Sequence, residues 1–256
     1  MEISSVASLI DQLYAGSSSQ TGLASLGDPV AAALGRASRR IDQQLESTRV
    51  QLSAYGQIKA GFAAVQTASK ALSGIEQTAS INEVKNVVMG FVDAYNKTAK
   101  TVSATTQSGG TQAGALAGDV RARVAGNDLR RSAADDNTLA ELKTVGIIQN
   151  KDGTLAFDTK TLENAYQTNP TQVLGALADI GGQIEKTAMR ELARTGNVGS
   201  SVNALDNRSR NLEAQQTAQQ NQMAAAQRLL DQQMARLNLN GAFVSGVEAY
   251  RRTFLA

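Results

Sequence analysis

The feature that most constrains the fold is a long polar and apolar run, Ser201 to Asn240, which contains neither Gly nor Pro. Its regularly spaced positions follow steps of three and four residues, the heptad pattern of a helix that packs along one seam. These positions are Val202, Leu205, Ser209, Leu212, Gln216, Gln219, Met223, Ala226, Leu230, Gln233 and Leu237. As one helix the run would span roughly 60 Å, and its partly polar seam requires something to pack against.

A second long seam, from Pro29 to about Ser73, is the natural partner for the first. Asp28 followed by Pro29 is a helix start signal, because Asp caps the first turn and Pro tolerates its first position. Apolar side chains then keep helical spacing as far as Leu72. Two long seams at opposite ends of one chain most simply pack on each other.

Shorter helices and one hairpin are predicted between the two seams. Asp152-Gly153 between two short apolar runs is a strong hairpin signal, so a β-hairpin is expected at about residues 145–157. Gly181 and Gly182 are expected to break a helix, and Val120, Val124 and Leu129 to face inward. The predicted helices are Ile81–Val102, Asp119–Arg131, Asp158–Tyr166, Pro170–Ala178 and Ile184–Arg194.

The composition argues against an enzyme. The 256 residues include no His and no Cys, which removes the commonest general base, the thiolate nucleophile and the commonest metal ligands. The Gly-rich loop at 109–118 lacks the Lys of a phosphate-binding loop, and the Asn150–Gly153 turn lacks the outer carboxylates of a calcium loop. We therefore expect no catalytic residue, no cofactor and no metal.

The charge and hydropathy patterns also exclude some partners. The net charge is +2 without a basic patch interleaved with aromatic residues, so no nucleic acid is expected. No run of 18 apolar residues occurs, which predicts no membrane-spanning helix. The first twenty residues lack the basic and apolar regions of a secretory signal, and these features alone would indicate a cytoplasmic protein.

Both ends of the chain carry apolar side chains that nothing else in the sequence covers. The last sixteen residues, GAFVSGVEAYRRTFLA, include two of the five Phe residues, and a short amphipathic patch occurs near the start. Apolar surface of this kind is typical of contacts between proteins. The candidate assembly residues are Leu9, Leu13, Met223, Leu230, Phe243, Val247, Tyr250 and Phe254.

Three segments in the middle of the chain carry short motifs. The first is Phe91–Asn96 (FVDAYN), and the second is Gly114–Asp119 (GALAGD). The third segment combines a TVGI run with DGTLAFD and NPTQV and ends at Val173. Taken in order, they resemble the FV-x-AYN helix, the G-x-L-x-GD stretch and the hairpin block of the flagellar filament cap family, the FliD hook-associated proteins. The residues that carry the motifs are Phe91, Tyr95, Asn96, Gly118, Asp119, Gly146, Asp152 and Gly153.

The resemblance implies an axial structural protein that is exported through the flagellar type III system and acts outside the cell, at the filament tip. It implies an oligomeric ring that helps flagellin to polymerise. The implied partners are further copies of the chain, flagellin, hook-associated junction proteins and an export chaperone. The predicted fold is mainly α: long terminal helices packed as an elongated coiled coil or bundle, with one small β-hairpin.

The domain organisation follows from the same resemblance. Residues 1–40 with 218–256 are expected to form a terminal axial layer, and 41–217 a helical domain with the hairpin. Family members carry large outer domains before the FV-x-AYN helix, whereas only Ser73–Ile81 fills that interval here, so a minimal form is expected. Three alternatives stay open: flagellin, a hook–filament junction protein, and a cytoplasmic coiled-coil adaptor or export chaperone.

Overall fold

The computed structural model describes the backbone of residues 23–109 and 113–254, and the side chains of 35–109, 113–229, 231–233, 235 and 236. Within these residues the chain forms seven helices and one two-stranded antiparallel sheet, so the predicted mainly helical fold with one small hairpin is confirmed. The elements are α1 (Leu23–Ser73), α2 (Ile81–Thr106), α3 (Val120–Ala134), α4 (Asp136–Thr144), β1 (Ile147–Gln149), β2 (Leu155–Phe157), α5 (Thr159–Thr168), α6 (Pro170–Leu192) and α7 (Asn197–Phe254).

The chain divides into two compact units, Glu46–Arg210 and a second one made of Met1–Leu45 with Asn211–Ala256. The long helices α1 and α7 each contribute residues to both units. In the second unit, Leu45 and Leu212 are buried, and the Gln216 Nε2 donates a hydrogen bond of 2.7 Å to the Asp42 Oδ1. Among the described residues, no helix combines the length and the hydrophobicity that crossing a lipid bilayer requires.

The core of the first unit is built from the buried faces of α1 to α6, together with one face of the hairpin and the first turn of α7. The α1 seam behaves as predicted, since Tyr55, Ile58, Phe62, Val65 and Leu72 are all buried. Helix α2 begins with a capping box, in which Ser80 and Glu83 satisfy each other's backbone N–H groups. Its buried face has helical spacing and includes Val84, Val88, Phe91, Val92 and Tyr95.

Close approach between helices depends on glycine. A Cβ on Gly61 would lie 2.9 Å from the Thr98 Oγ1, and a Cβ on Gly126 would lie 2.6 Å from a methyl carbon of Val102. Both distances are shorter than real Cβ contacts allow, so α1 and α3 each approach α2 at a position without a side chain. A chain with 4% aromatic residues thus builds its core from thin seams between helices.

The hairpin forms where it was predicted. Ile147 pairs with Phe157, Ile148 with Ala156 and Gln149 with Leu155. The Asn150 N–H donates to the Thr154 carbonyl at 2.7 Å and closes the turn. The outer strand residue Ile148 is 52% exposed, so the hairpin buries one face only.

The predicted inward face of α3 is wrong. Leu129 is buried, but Val120 is 60% exposed and Val124 is 37% exposed. The buried positions are the small residues Ala122, Ala125, Gly126, Ser132 and Ala133, together with Leu129. Close packing against α2 selects small side chains, and this requirement outweighs the hydrophobicity of the two valines.

The predicted helix break at Gly181 and Gly182 is also wrong, because α6 continues through both residues to Leu192. A Cβ on Gly181 would lie 2.6 Å from the Ser69 carbonyl oxygen and 2.8 Å from the Ser73 nitrogen, both backbone atoms of α1. Gly181 is therefore a packing glycine, and the hydrogen bonds of the helix continue across it.

The two longest helices also have bounds that differ from the predictions, and one short helix was not predicted. Helix α1 begins at Leu23, so Pro29 lies in its second turn and not at its first position. Helix α7 begins at Asn197 and runs through Gly241 to Phe254. Helix α4 was not predicted at all, since its nine residues carry too short an apolar pattern.

Candidate functional site

Asn96, on α2, joins that helix to the hairpin. Its Nδ2 donates to the Leu155 carbonyl at 2.8 Å, and its Oδ1 accepts from the Leu155 N–H at 2.7 Å. A side-chain amide offers one donor and one acceptor, as a neighbouring strand would. Asn96 therefore satisfies the outer edge of β2 and holds the hairpin against the helix.

Phe91 and Tyr95 lie on the buried face of the same helix. Both are fully buried, with ring centroids 6.2 Å apart, and the Tyr95 hydroxyl donates to the Leu129 carbonyl of α3 at 3.3 Å. Burial raises the pKa of Tyr95 to about 12, so the hydroxyl stays protonated as a donor. The FVDAYN motif thus contacts both α3 and the hairpin.

Asp119 begins α3 and connects it to α1. Its Oδ1 accepts from the Ala122 N–H at 3.0 Å, as an N-cap does, and from the Tyr55 hydroxyl at 2.8 Å. Burial is the main cause that raises the pKa of Tyr55 to about 12, and the Asp119 charge adds to it. Gly118 precedes the cap with a φ of +82°, a conformation that favours glycine.

Gly146, Asp152 and Gly153 form the two ends of the hairpin. Gly146 has a φ of +77°, and its carbonyl accepts from the Asp158 N–H at 2.8 Å. The Asp152 Oδ1 accepts from the Thr154 N–H at 2.9 Å and from its hydroxyl at 2.6 Å, which lowers the pKa of Asp152. These carboxylate bonds explain the Asn-x-Asp-Gly sequence as turn chemistry.

The motif residues therefore connect the elements of the first unit. The FVDAYN and hairpin residues join α2, the hairpin and the C-terminal half of α3, and Asp119 joins the start of α3 to α1. We call these residues the motif cluster. Their hydrogen bonds go to backbone groups and to neighbouring side chains of the same cluster. In the described part of the chain, no group of three or more acidic side chains is arranged to hold a metal ion. What this cluster can do chemically is hold helices and hairpin in a fixed arrangement.

For most of the candidate assembly residues, the structure describes no side chain. Leu9 and Leu13 lie outside the described residues, as do the side chains of the others apart from Met223: Leu230, Phe243, Val247, Tyr250 and Phe254. Met223 is 44% exposed. Leu229, which the heptad seam did not single out, is 56% exposed, and only its position beside the seam could have identified it.

Exposure along α7 changes sharply. Ser201, Ser209 and Leu212 are buried, and Gln216 and Gln219 are partly covered. From Gln220 onward every side chain that the structure describes is exposed, as far as Arg236. We call residues 220–236 the exposed stretch of α7.

Comparison with known proteins identifies the family. The family model described as flagellar hook-associated protein 2 C-terminus matches residues 64–240, well over half of the chain, and this range includes the whole motif cluster. No curated protein matches the chain. The resemblance carried by the motifs is thus confirmed, and the chain belongs to the flagellar hook-associated protein 2 (FliD) family.

Proposed function

We propose that this chain caps the growing end of a flagellar filament as a ring of identical copies, and that the ring promotes flagellin polymerisation there. Membership of the hook-associated protein 2 family supports this role. The motif cluster supplies a rigid body whose internal hydrogen bonds are satisfied. A structural role of this kind needs a stable scaffold and a contact surface, and it needs no reactive group.

The observation that carries the proposal is the exposed stretch of α7. Isolated helices are only marginally stable in water, and most helices in proteins are held by packing one face against other elements. Met223 and Leu229 are exposed in this stretch together with Ala and Gln residues that permit close helix packing. We take equivalent stretches of neighbouring copies to be what covers it, with Leu230 and the apolar tail, Phe243 to Phe254, adding contact area.

The proposal includes partners and location. Flagellin and the hook-associated junction proteins are the axial partners, an export chaperone is a partner before assembly, and the N-terminal Leu9 and Leu13 join the terminal contacts. The protein would leave the cell through the flagellar export channel and act at the filament tip. The absence of His and Cys from the sequence supports a structural rather than an enzymatic role.

A deletion strain tests the capping role directly. Without the protein, hooks should remain, filaments should be absent or very short, and monomeric flagellin should accumulate in the medium. Immunoblots of culture medium and electron microscopy of the cells measure both effects, with the complemented strain as the control. A deletion strain that builds filaments of normal length would contradict the proposal.

A further inference from the structure

Helix α3 carries two exposed valines on the side that faces away from the core. Val120 is 60% exposed and Val124 is 37% exposed, whereas the buried residues of the helix lie on its other side. At 3.6 residues per turn, the two valines share a narrow strip of the helix surface with three further residues. We call this strip, made of Val120, Val124, Asn127, Arg131 and Ala134, the outer strip of α3. The first unit does not bury its valines, so the outer strip has the character of an unused contact surface.

The two ends of α3 carry opposite charges that have no ion-pair partner. Arg121 and Arg123 lie near the start of the helix, Asp135 and Asp136 lie just beyond its end, and all four are exposed. In the described part of the chain, no salt bridge includes any of them. Cations near a helix N-terminus are electrostatically unfavourable, so the stability of α3 does not account for the two arginines. Asp135 occupies the N-cap position of α4, but its side chain makes no capping hydrogen bond.

This charge distribution makes α3 complementary to a second copy of itself. Two copies of α3 that pack antiparallel place the basic end of each helix beside the acidic end of the other. The register that sets Arg123 opposite Asp135 also sets Asp128 opposite Arg130. No like charges then lie opposite each other, and each contact occurs twice, as a two-fold axis requires.

The apolar part of the outer strip fits the same register. Val124 comes to lie opposite Ala134 of the second copy on both sides of the two-fold axis, and alanine permits a close approach of the helices. Helix α3 has 15 residues, a length of about 22 Å. One such helix pair buries less than the roughly 1,200–2,000 Å² of a stable interface, so the pairing is weak and depends on concentration.

We propose that the outer strip of α3 is a surface for self-recognition, through which two copies of the chain pair antiparallel about a two-fold axis at the level of Leu129. The inference concerns the first unit alone and does not depend on the capping role.

The test uses the full-length protein with Met223→Glu and Leu229→Glu as the reference, so that contacts through these two residues of α7 do not contribute. Sedimentation equilibrium over a concentration series should show monomers and pairs. Arg123→Asp should weaken pairing by about tenfold or more, because it sets like charges opposite each other at two symmetric sites. Lys97→Asp, at an exposed position on α2, changes the net charge equally and should leave pairing unchanged.

An exchange of charges separates a contact between copies from an effect on the fold. Arg123→Asp combined with Asp135→Arg should restore pairing to within about threefold of the reference protein. A reference protein that stays monomeric at every concentration would overturn the proposal. Unchanged pairing by Arg123→Asp, or no restoration by the exchange, would overturn it as well.

Disulfide formation in the same reference protein tests the register. The sequence contains no Cys, so an introduced cysteine reports only its own contacts. A mixture of Val124→Cys and Ala134→Cys proteins should form mixed disulfides in preference to disulfides between like copies. In the proposed register, two copies of the same position lie about 15 Å apart along the helix axis, too far for a disulfide. Mixed disulfides at no more than their statistical share would contradict the antiparallel pairing.

Discussion

At the scale of single residues, the hairpin depends on one side chain that lies outside it. Asn96 satisfies both backbone groups of Leu155, which is only 3% exposed. Removal of a hydrogen-bond partner leaves a buried group unsatisfied, and this costs more than the bond itself contributes. This explains why an asparagine follows the tyrosine in the FVDAYN motif.

Asn96→Ala should therefore lower the free energy of unfolding by about 2–3 kcal/mol. The control is Asn86→Ala, at an exposed position on the same helix, which should change stability by less than about 0.5 kcal/mol. Denaturant unfolding measures both. Equal effects of the two substitutions would show that the amide does not hold the hairpin.

Gly118 and Gly146 have similar φ angles but different surroundings. Substituting Ala at each position distinguishes the energetic cost of the backbone conformation from the cost of a steric clash. Gly118 has a φ of +82° and open space around the position of a Cβ, whereas at Gly146 (φ +77°) a Cβ would overlap the Asp158 carbonyl oxygen. Gly118→Ala should cost about 1–2 kcal/mol, and Gly146→Ala clearly more, because it adds a backbone clash. Thermal unfolding tests the order, and a smaller effect at Gly146 would contradict the described turn.

Residue-level chemistry was the most predictable part of the molecule. The Asp-Gly turn and the predicted helix starts at Asp158 and Pro170 depend on neighbours in sequence. The structure has the turn, and Asp158 and Asn169 cap the two helices. The Asn96 contact spans 59 residues of sequence. No local rule indicates such a contact, and only the motif resemblance singled the residue out.

At the scale of elements, small residues decide where helices approach one another. The apolar spacing predicted the buried faces of α1 and α2 because both use large side chains. The same apolar spacing gave wrong predictions for the buried face of α3 and for the helix at Gly181. The contacts there are so close that they require glycine or another small residue. Val120 and Val124 were therefore assigned inward, and α6 was divided in two.

Two glycines of α6, Gly181 and Gly175, should respond oppositely to substitution by Ala, one with a loss and the other with a gain of stability. Gly181→Ala should destabilise the protein by about 1–3 kcal/mol, since the added Cβ meets α1 backbone atoms that cannot move aside. Gly175→Ala should stabilise it by up to about 1 kcal/mol, because Gly175 is exposed with open space around it and Ala favours helix. Calorimetry of both variants measures this, and a stabilising Gly181→Ala would refute the close contact.

At the scale of the whole molecule, burial and the sequence pattern together indicate which parts are fully packed within a single chain. The first unit buries a contiguous apolar core, to which Phe91 and Tyr95 of the motif cluster belong. The exposed stretch of α7 continues the same heptad seam, but no described side chain in it is buried. The heptad pattern predicts a long helix. It does not show which part of that helix is buried in the free chain, because burial depends on what packs against each part.

Met223→Glu with Leu229→Glu tests what the exposed stretch contacts. Both side chains are exposed, so unfolding of the free chain should change by less than about 0.5 kcal/mol per site. Assembly should be lost, because charges would enter a packed helix interface. The control is Ala235→Glu, an exposed position about 120° around the helix from both side chains. Sedimentation of full-length proteins measures assembly, and normal assembly by the double variant would exclude these contacts.

The most direct test of the central claim is the position of the protein on isolated filaments. A label on the full-length chain, followed by electron microscopy of intact filaments with their hooks, locates it. The account predicts label at the filament tip, one cluster per filament. Label at the hook–filament junction, or along the filament, would contradict a capping role.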